Sequence, residues 1–180
     1  AQISINFTNY KISPIHQVFD AVCDLAIERG LRVTGSELVG LIPKSALIDA
    51  GKYYLKKQGR SLGVSERDIL ECAIQSLGLN DVSKFNSKEK IIEFAIKDDK
   101  DSLLHLSTDD LIYSISQNSP APGGGSVSAL AGSLGAALLS MVSLLTYDKK
   151  EYFSKRTKMS RLGEMAHKYQ KRLNELVDED

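Results

Sequence analysis

The stretch Asn118-Ser119-Pro120-Ala121-Pro122-Gly123-Gly124-Gly125-Ser126 lies immediately before a long run of small and apolar residues. Its prolines and consecutive glycines exclude regular structure and predict a loop. The Ser126 hydroxyl is a candidate N-cap for the helix that follows. Free N–H groups and the helix dipole meet at such an N-terminus and favour an anion. The stretch therefore predicts either a flexible linker or an anion-binding loop, whose candidate cofactor-binding residues are Gly123, Gly124, Gly125 and Ser126.

The run behind the loop, residues 127–145, contains neither charge nor proline and predicts a helix. Small residues recur every four positions and form a stripe that another helix can approach closely: Ser128, Gly132, Ala136 and Ser140. The run is about long enough to span a bilayer, but serines and glycines dilute its apolarity and aromatic residues do not flank both ends. We therefore expect the buried helix of a bundle and no membrane contact.

The composition is that of a globular protein, with 180 residues, 42% apolar and 26% charged. Lysine and arginine number 23, as do aspartate and glutamate, so the formal net charge is zero. That balance argues against a nucleic-acid partner held by bulk electrostatics. Cys23 and Cys72 lack metal-type spacing and are typical of reduced core thiols, so we expect a cytoplasmic protein without a metal.

The first half predicts alternating strands and helices. Ile3, Ile5 and Phe7 alternate with polar residues, as in a strand with one buried face, and residues 31–42 form a second extended stretch. Ser13-Pro14, Pro43 and Ser65 mark the starts of three helices. Two strands do not make a stable sheet alone, so we expect the missing strands upstream or in a partner.

The second half predicts helices only. They are a short helix near residues 108–116, the small-residue helix, and a long helix from about residue 149 to 178. Apolar residues step by three and four along the last helix, which is typical of a bundle or a dimer interface. A polar stretch at residues 98–107 predicts a domain boundary. The predicted fold class is therefore α+β, a partial α/β sandwich subdomain followed by an all-α helical-bundle segment.

Three motifs occur in one order and carry a resemblance. They are Gly35-Ser36-Glu37-Leu38-Val39-Gly40-Leu41-Ile42-Pro43, Phe85-Asn86-Ser87-Lys88-Glu89-Lys90-Ile91-Ile92-Glu93 and Pro120-Ala121-Pro122-Gly123-Gly124-Gly125-Ser126-Val127. Together they resemble the bifunctional formiminotransferase–cyclodeaminase family of histidine catabolism. The resemblance implies that residues 1–97 are the C-terminal part of the formiminotransferase C-subdomain, 98–107 a linker, and 108–180 the first cyclodeaminase helices.

The resemblance also implies an activity and its partners. In that family a transferase moves the formimino group of N-formimino-L-glutamate to tetrahydrofolate, and a cyclodeaminase then closes the ring and releases ammonia. The transferase base is a histidine in an N-terminal subdomain that this chain lacks, so we expect the chain alone to be inactive. The implied partners are formiminoglutamate, folate polyglutamate as co-substrate, the missing N-terminal half and further copies in a homo-oligomer formed through the helical segment.

Candidate catalytic residues follow in part from the residues themselves. Glu37 is polar within an apolar extended segment beside Gly35 and Ser36, two candidate cofactor-binding residues. Its carboxylate either hydrogen-bonds the cationic formimino nitrogen or is an exposed strand-edge side chain; the family commonly has Gln there. The resemblance implies that Asp180 is a proton donor, whereas an acidic C-terminus is usually a solvated, frayed end.

The histidines and the basic residues are further candidates for functional side chains. His16 is expected to be a structural helix residue, and neither His105 nor His167 is expected to pair with a nucleophile. Basic residues outnumber acidic ones between residues 149 and 172, which predicts either a solvated face or attraction for the anionic folate tail. A non-catalytic interaction or scaffold module that assembles with a partner chain remains the alternative to an enzyme segment.

Overall fold

The computed structural model of the protein describes residues 2–96 and 102–179. The chain divides into two compact units. The first consists of Ala1–Arg60 and Glu66–Lys97, and the second of Ser61–Ser65 and Asp98–Asp180.

The first unit is built from helices. They are α1 (Ile15–Glu28), α2 (Lys44–Lys57), α3 (Glu66–Ser76), α4 (Ser87–Lys90) and α5 (Ile92–Ala95). Pro14 and Pro43 precede α1 and α2 with φ of −63°, which is the ring-fixed value and directs the chain into a first helical turn. The helix starts predicted at Pro14 and Pro43 are therefore confirmed to within one residue.

The core of the first unit lies between α2 and α3. Gly51 allows the two helices to cross closely, because a Cβ atom there would overlap the backbone carbonyl of Ile69. Leu47 and Leu55 of α2 are almost completely buried beside this crossing. Other buried apolar residues of this core include Ala46, Ala50, Leu70, Ala73, Ile74 and Leu77.

The predicted α/β sandwich subdomain is wrong. The described residues contain no β-strand, and the nearest approach to one is an isolated parallel bridge between Ile42 and Ile91. Ile3 and Ile5 are 66% and 48% exposed, so the alternating segment has no buried face. Alternation identifies the side chains that a sheet would bury, but a strand also needs a neighbour for its N–H and C=O groups. Within the described residues that neighbour is missing, and the unit is helical.

The second unit is a helical hairpin with one further α-helix and two 3₁₀ turns. Its α-helices are α6 (Thr108–Ile115), α7 (Gly124–Asp148) and α8 (Arg156–Glu179), with 3₁₀ turns at Leu103–His105 and Lys150–Lys155. The last helix was predicted to begin near residue 149 but begins at Arg156, because the chain between the two helices forms the second 3₁₀ turn. The Ser107 side chain caps α6 by accepting from the Asp110 amide at 3.1 Å.

Helix α7 buries its small polar face and exposes its large apolar one. Ser126, Ser133, Ser140 and Ser143 are buried together with Ala129. Leu134, Leu138 and Leu145 are each about 60% exposed. The predicted small-residue stripe is not this buried face, because its members Ser128 and Gly132 are exposed and only Ser140 is buried. A Cβ atom on Gly132 would nevertheless lie 3.3 Å from the Leu173 side chain of α8. Among the described residues α8 covers one side of α7 only, so the buried position expected for this helix is reached on one face.

Helix α7 is also the described helix whose length and composition would allow it to cross a membrane. A single helix of this kind is weak evidence for a membrane span, because core helices of soluble proteins have the same properties.

Candidate functional site

The Gly35-Ser36-Glu37 segment is fixed to the C-terminal end of α3. The Ser36 amide donates to the Gly78 carbonyl at 3.0 Å, and the Ser36 hydroxyl donates to the Leu77 carbonyl at 2.6 Å. Gly78 has a φ of +61°, and a Cβ atom on it would lie 2.9 Å from the Gly35 Cα. Glycine is required at this crossing because two backbones meet there. The Ser36 hydroxyl proton is thus used within the protein.

The two hydrogen bonds of Ser36 anchor the segment, and Glu37, the next residue, is exposed. Among the described residues its carboxylate accepts no hydrogen bond and contacts no cation. The neighbouring backbone is irregular rather than a strand. The anchor therefore presents a carboxylate with free acceptor positions on the surface of the first unit.

Two of the sequence motifs meet in the structure. The bridge between Ile42 and Ile91 places the end of the first motif beside the end of the second. The Ile42 amide donates to the Lys90 carbonyl at 2.9 Å, and the Ile92 amide donates to the Ile42 carbonyl at 3.0 Å. The Glu93 carboxylate accepts from the Lys44 amide at 2.7 Å, and a carboxylate at the N-terminus of α2 stabilises that helix. Sequence reasoning missed this contact.

The glycine stretch leads into α7 differently from the prediction. Gly123 is the N-cap and the helix begins at Gly124, so the N-cap predicted at Ser126 is wrong. Ser126 lies one turn further along and is buried. Glycine adopts the extended N-cap conformation without a side chain that competes for the first-turn amides. As a glycine, the N-cap Gly123 makes no side-chain hydrogen bond to this N-terminus.

The acidic end of α8 is partly structural. The Asp178 carboxylate accepts from the Ser102 hydroxyl at 2.7 Å and from the Leu103 amide at 2.8 Å, which holds the first 3₁₀ turn against α8. The expectation of a frayed, solvated end is therefore wrong for Asp178. Asp180, the predicted proton donor, lies outside the described residues.

His167 pairs with a buried serine, a contact that the sequence did not predict. Its Nε2 lies 2.7 Å from the Ser140 Oγ of α7, and its Nδ1 lies 3.2 Å from the Gln170 Oε1. Ser133 Oγ similarly lies 2.5 Å from Asn174 Oδ1. Ser140 is only 3% exposed, so its hydroxyl joins two helices instead of facing a substrate. The pairing was missed because α7 and α8 meet only in the folded hairpin.

The basic residues of the second unit differ in the partners that they contact. Arg172 is paired with Glu175 and Glu179, at 3.2 and 2.7 Å. The Arg156 guanidinium lies 4.0 Å from the Phe153 ring centroid, and its Nε donates to the Tyr147 carbonyl at 3.0 Å. Within the described ranges, no group of three or more histidine, cysteine or acidic side chains could hold a metal ion.

Comparison with known proteins explains the order of the motifs. Residues 1–97 match the formiminotransferase domain, and residues 107–180 match the family described as formiminotransferase-cyclodeaminase. The chain belongs to the formiminotransferase-cyclodeaminase family. The resemblance inferred from the three motifs is therefore confirmed.

The relatives of this formiminotransferase-cyclodeaminase chain are enzymes. It is 37% identical over 182 residues to formimidoyltransferase-cyclodeaminase from Sus scrofa, a match that covers all of this chain and 34% of that protein. Similarity to the protein of the same name from Gallus gallus is 37% over 183 residues, again 100% of this chain and 34% of the relative. Glutamate formimidoyltransferase from Thermoplasma acidophilum is 44% identical over 70 residues, 39% of this chain and 22% of that protein. The chain thus spans about a third of the length of its bifunctional relatives.

Proposed function

We propose that this chain is a segment of a folate-dependent enzyme of histidine degradation. That enzyme transfers the formimino group of N-formimino-L-glutamate to tetrahydrofolate and then cyclises the product with release of ammonia. The observation that carries the proposal is the match of both halves, in order, to the two family domains. We assign residues 1–97 to the transferase and residues 108–180 to the cyclodeaminase, with residues 98–107 as the linker.

In the transferase reaction, Glu37 is proposed to bind the cationic formimino nitrogen. A carboxylate that accepts charge-assisted hydrogen bonds favours the protonated, electrophilic form of that group. The double hydrogen bond of Ser36 to α3 supports this role, because it fixes the backbone immediately before Glu37. Gly35 and Ser36 are proposed to line the tetrahydrofolate position.

In the cyclodeaminase reaction, Asp180 is proposed to protonate the leaving nitrogen, since ammonia leaves only when its nitrogen carries the proton. The N-terminus of α7, whose N-cap is a glycine, is proposed to bind a carboxylate of the folate tail through Gly123, Gly124, Gly125 and Ser126. Tetrahydrofolate acts as co-substrate, and the chemistry proposed here uses no metal.

The proposed partners complete the sites. The N-terminal half of the transferase supplies the general base, and further copies of the chain associate through the helical segment. The exposed leucines of α7 support such an association, because a large apolar patch is typical of an interface. The proposed compartment is the cytoplasm.

The experiment measures formiminoglutamate-dependent turnover of tetrahydrofolate by the chain with and without the N-terminal half of the Sus scrofa relative. We expect no turnover by the chain alone and activity in the mixture. Turnover by the chain alone would contradict the assignment of the base to the missing half. A mixture that forms a complex in native mass spectrometry but neither binds tetrahydrofolate nor turns it over would favour the scaffold function.

A further inference from the structure

The carboxylate of Asp20 joins α1 to α2 through hydrogen bonds. Asp20 accepts hydrogen bonds from the hydroxyl groups of Tyr53 at 2.8 Å and Tyr54 at 3.1 Å, and from the Lys57 ammonium at 2.6 Å. Three donors from α2 therefore converge on one side chain of α1. A carboxylate has enough lone pairs to accept all three.

His16 is the buried part of the same contact. It is the only residue of α1 that is buried, with 6% of its surface exposed, whereas Leu25 and Ile27 of this helix are 50% and 70% exposed. Its ring stacks on Tyr53 with centroids 4.4 Å apart and meets the edge of Tyr54 at 6.4 Å. Its Nδ1 is buried and finds no hydrogen-bond partner among the described residues.

The charges around His16 compete. Desolvation by burial lowers the pKa of His16 below its usual value, although the nearby carboxylates of Asp20 on α1 and Asp49 on α2 act to raise it. The other titratable groups of the cluster are the Tyr53 and Tyr54 hydroxyls and the Lys57 ammonium, all on α2. A protonated imidazole would carry a donor at Nδ1 for which the closed arrangement offers no acceptor.

We propose that His16 and the Asp20 cluster form an acid-sensitive latch, which keeps α1 docked on α2 while the imidazole is neutral and releases α1 when the imidazole is protonated. A histidine with a lowered pKa in the docked state stabilises docking fully above about pH 6.5. That stabilisation is lost as the pH falls through the lowered value. The crossing of α2 and α3 at Gly51 does not include His16, so those helices remain packed when α1 leaves.

The experiment measures amide hydrogen exchange of the full chain at pH 7.5 and pH 5.5, with exchange rates corrected for their intrinsic pH dependence. We expect protection in α1 to fall by about three- to tenfold at pH 5.5, since one proton contributes at most tenfold per pH unit. Protection in α2 and α3 stays constant. His16→Phe keeps the aromatic stack without titrating and should hold the change in α1 below about twofold.

Asp20→Asn is the second variant, and its signature differs from that of His16→Phe. Loss of the carboxylate weakens docking at both pH values, and it also removes an attraction for the proton, so the midpoint of the remaining transition moves to lower pH. The proposal is overturned if His16→Phe retains the wild-type pH dependence or if α2 and α3 lose protection together with α1. If His16→Phe fails to fold, NMR titration of the His16 ring in the unaltered chain tests the proposal instead. The midpoint of this titration must coincide with the midpoint of the opening of α1. Different midpoints overturn the latch.

Discussion

The Ser36 amide and the Gly78 carbonyl are joined by a hydrogen bond of 3.0 Å, across a contact where Gly35 and Gly78 bring two backbones together. This bond links the first sequence motif to the end of α3. It makes the position of Glu37 depend on a glycine more than 40 residues away in the chain. The consequences for catalysis and stability can be tested separately.

Replacement of Glu37 by alanine should reduce kcat/KM of the enzyme reconstituted with the N-terminal half. A hydrogen bond to a charged group contributes about 1.5–3 kcal/mol, which corresponds to a loss of roughly 10- to 150-fold. Steady-state kinetics with formiminoglutamate and tetrahydrofolate measure the change. Glu28→Ala, at an exposed acid of α1, is the matched control and should leave kcat/KM unchanged. An equal change of kcat/KM in the two variants would show that Glu37 is an ordinary surface side chain.

Replacement of Gly51 by alanine should destabilise the first unit by about 1–3 kcal/mol, the usual cost of an overpacked core. The added methyl group meets the backbone carbonyl of Ile69, which cannot rotate away as a side chain can. Urea unfolding monitored by circular dichroism measures the effect. Gly135→Ala on α7 is the control, because a Cβ atom there meets nothing within 4 Å. The control should be neutral or stabilising, since alanine favours the helix.

Loss of the Ser140 hydroxyl should weaken the α7–α8 hairpin by about 1 kcal/mol, because the His167 ring loses a buried partner. Ser140→Ala is compared with Ser128→Ala, an exposed serine of the same helix. Thermal unfolding of both variants gives the difference. A stability of Ser140→Ala equal to that of the Ser128 variant would show that the hydrogen bond contributes nothing to the pairing of α7 with α8.

Acid should weaken the Asp20 cluster at a lower pH than the one at which His16 becomes protonated. Burial acts to raise the pKa of Asp20, but hydrogen bonds from Lys57, Tyr53 and Tyr54 outweigh it and hold this pKa below its usual value. The stabilisation from this carboxylate is therefore present above about pH 4 and is lost as the pH falls through the lowered pKa. Urea unfolding between pH 2 and pH 6 should show a steeper loss for the unaltered chain than for Asp20→Asn. Asp24→Asn, one turn further along α1, should retain the steep loss.

Binding of folate with a polyglutamate tail should be more sensitive to salt than binding of monoglutamyl folate. Attraction between exposed charges is screened within about 8 Å at physiological ionic strength. Calorimetry at low and high salt compares the two ligands on a protein that contains the complete helical domain. Equal affinities with equal salt dependence would assign the basic residues between positions 149 and 172 to solvated surface and the glycine stretch to a linker.

The helices were largely predictable, because their signals are local. Pro14 and Pro43 fix the entry into α1 and α2, and α6 coincides with the short helix predicted near residues 108–116. Apolar alternation around Ile3 failed as a predictor of a strand, because a strand depends on a partner that alternation does not supply. The N-cap at Gly123 was misassigned to Ser126 because a favourable capping residue also fits within the first turn.

The candidate site was predictable only where it consists of one segment. Gly35, Ser36 and Glu37 were found together, yet their anchor at Leu77 and Gly78 depends on a tertiary contact without a sequence signal beyond a helix-ending glycine. The pairing of His167 with Ser140 and the contact of Asp178 with Ser102 likewise join residues far apart in the chain. Chemistry that depends on such contacts is visible only after folding.

The two faces of α7 contribute differently to its contacts, because the buried face carries serines and the exposed face carries leucines. Serine hydroxyls select α8 as neighbour through directional bonds, at Ser133 with Asn174 and Ser140 with His167. The leucines on the outside have no such directional preference and gain free energy from any apolar surface that removes them from water. The α7–α8 hairpin can therefore form whether or not another apolar surface covers the leucines. An exposed apolar face of this kind also favours aggregation, and that tendency grows with the concentration of the chain.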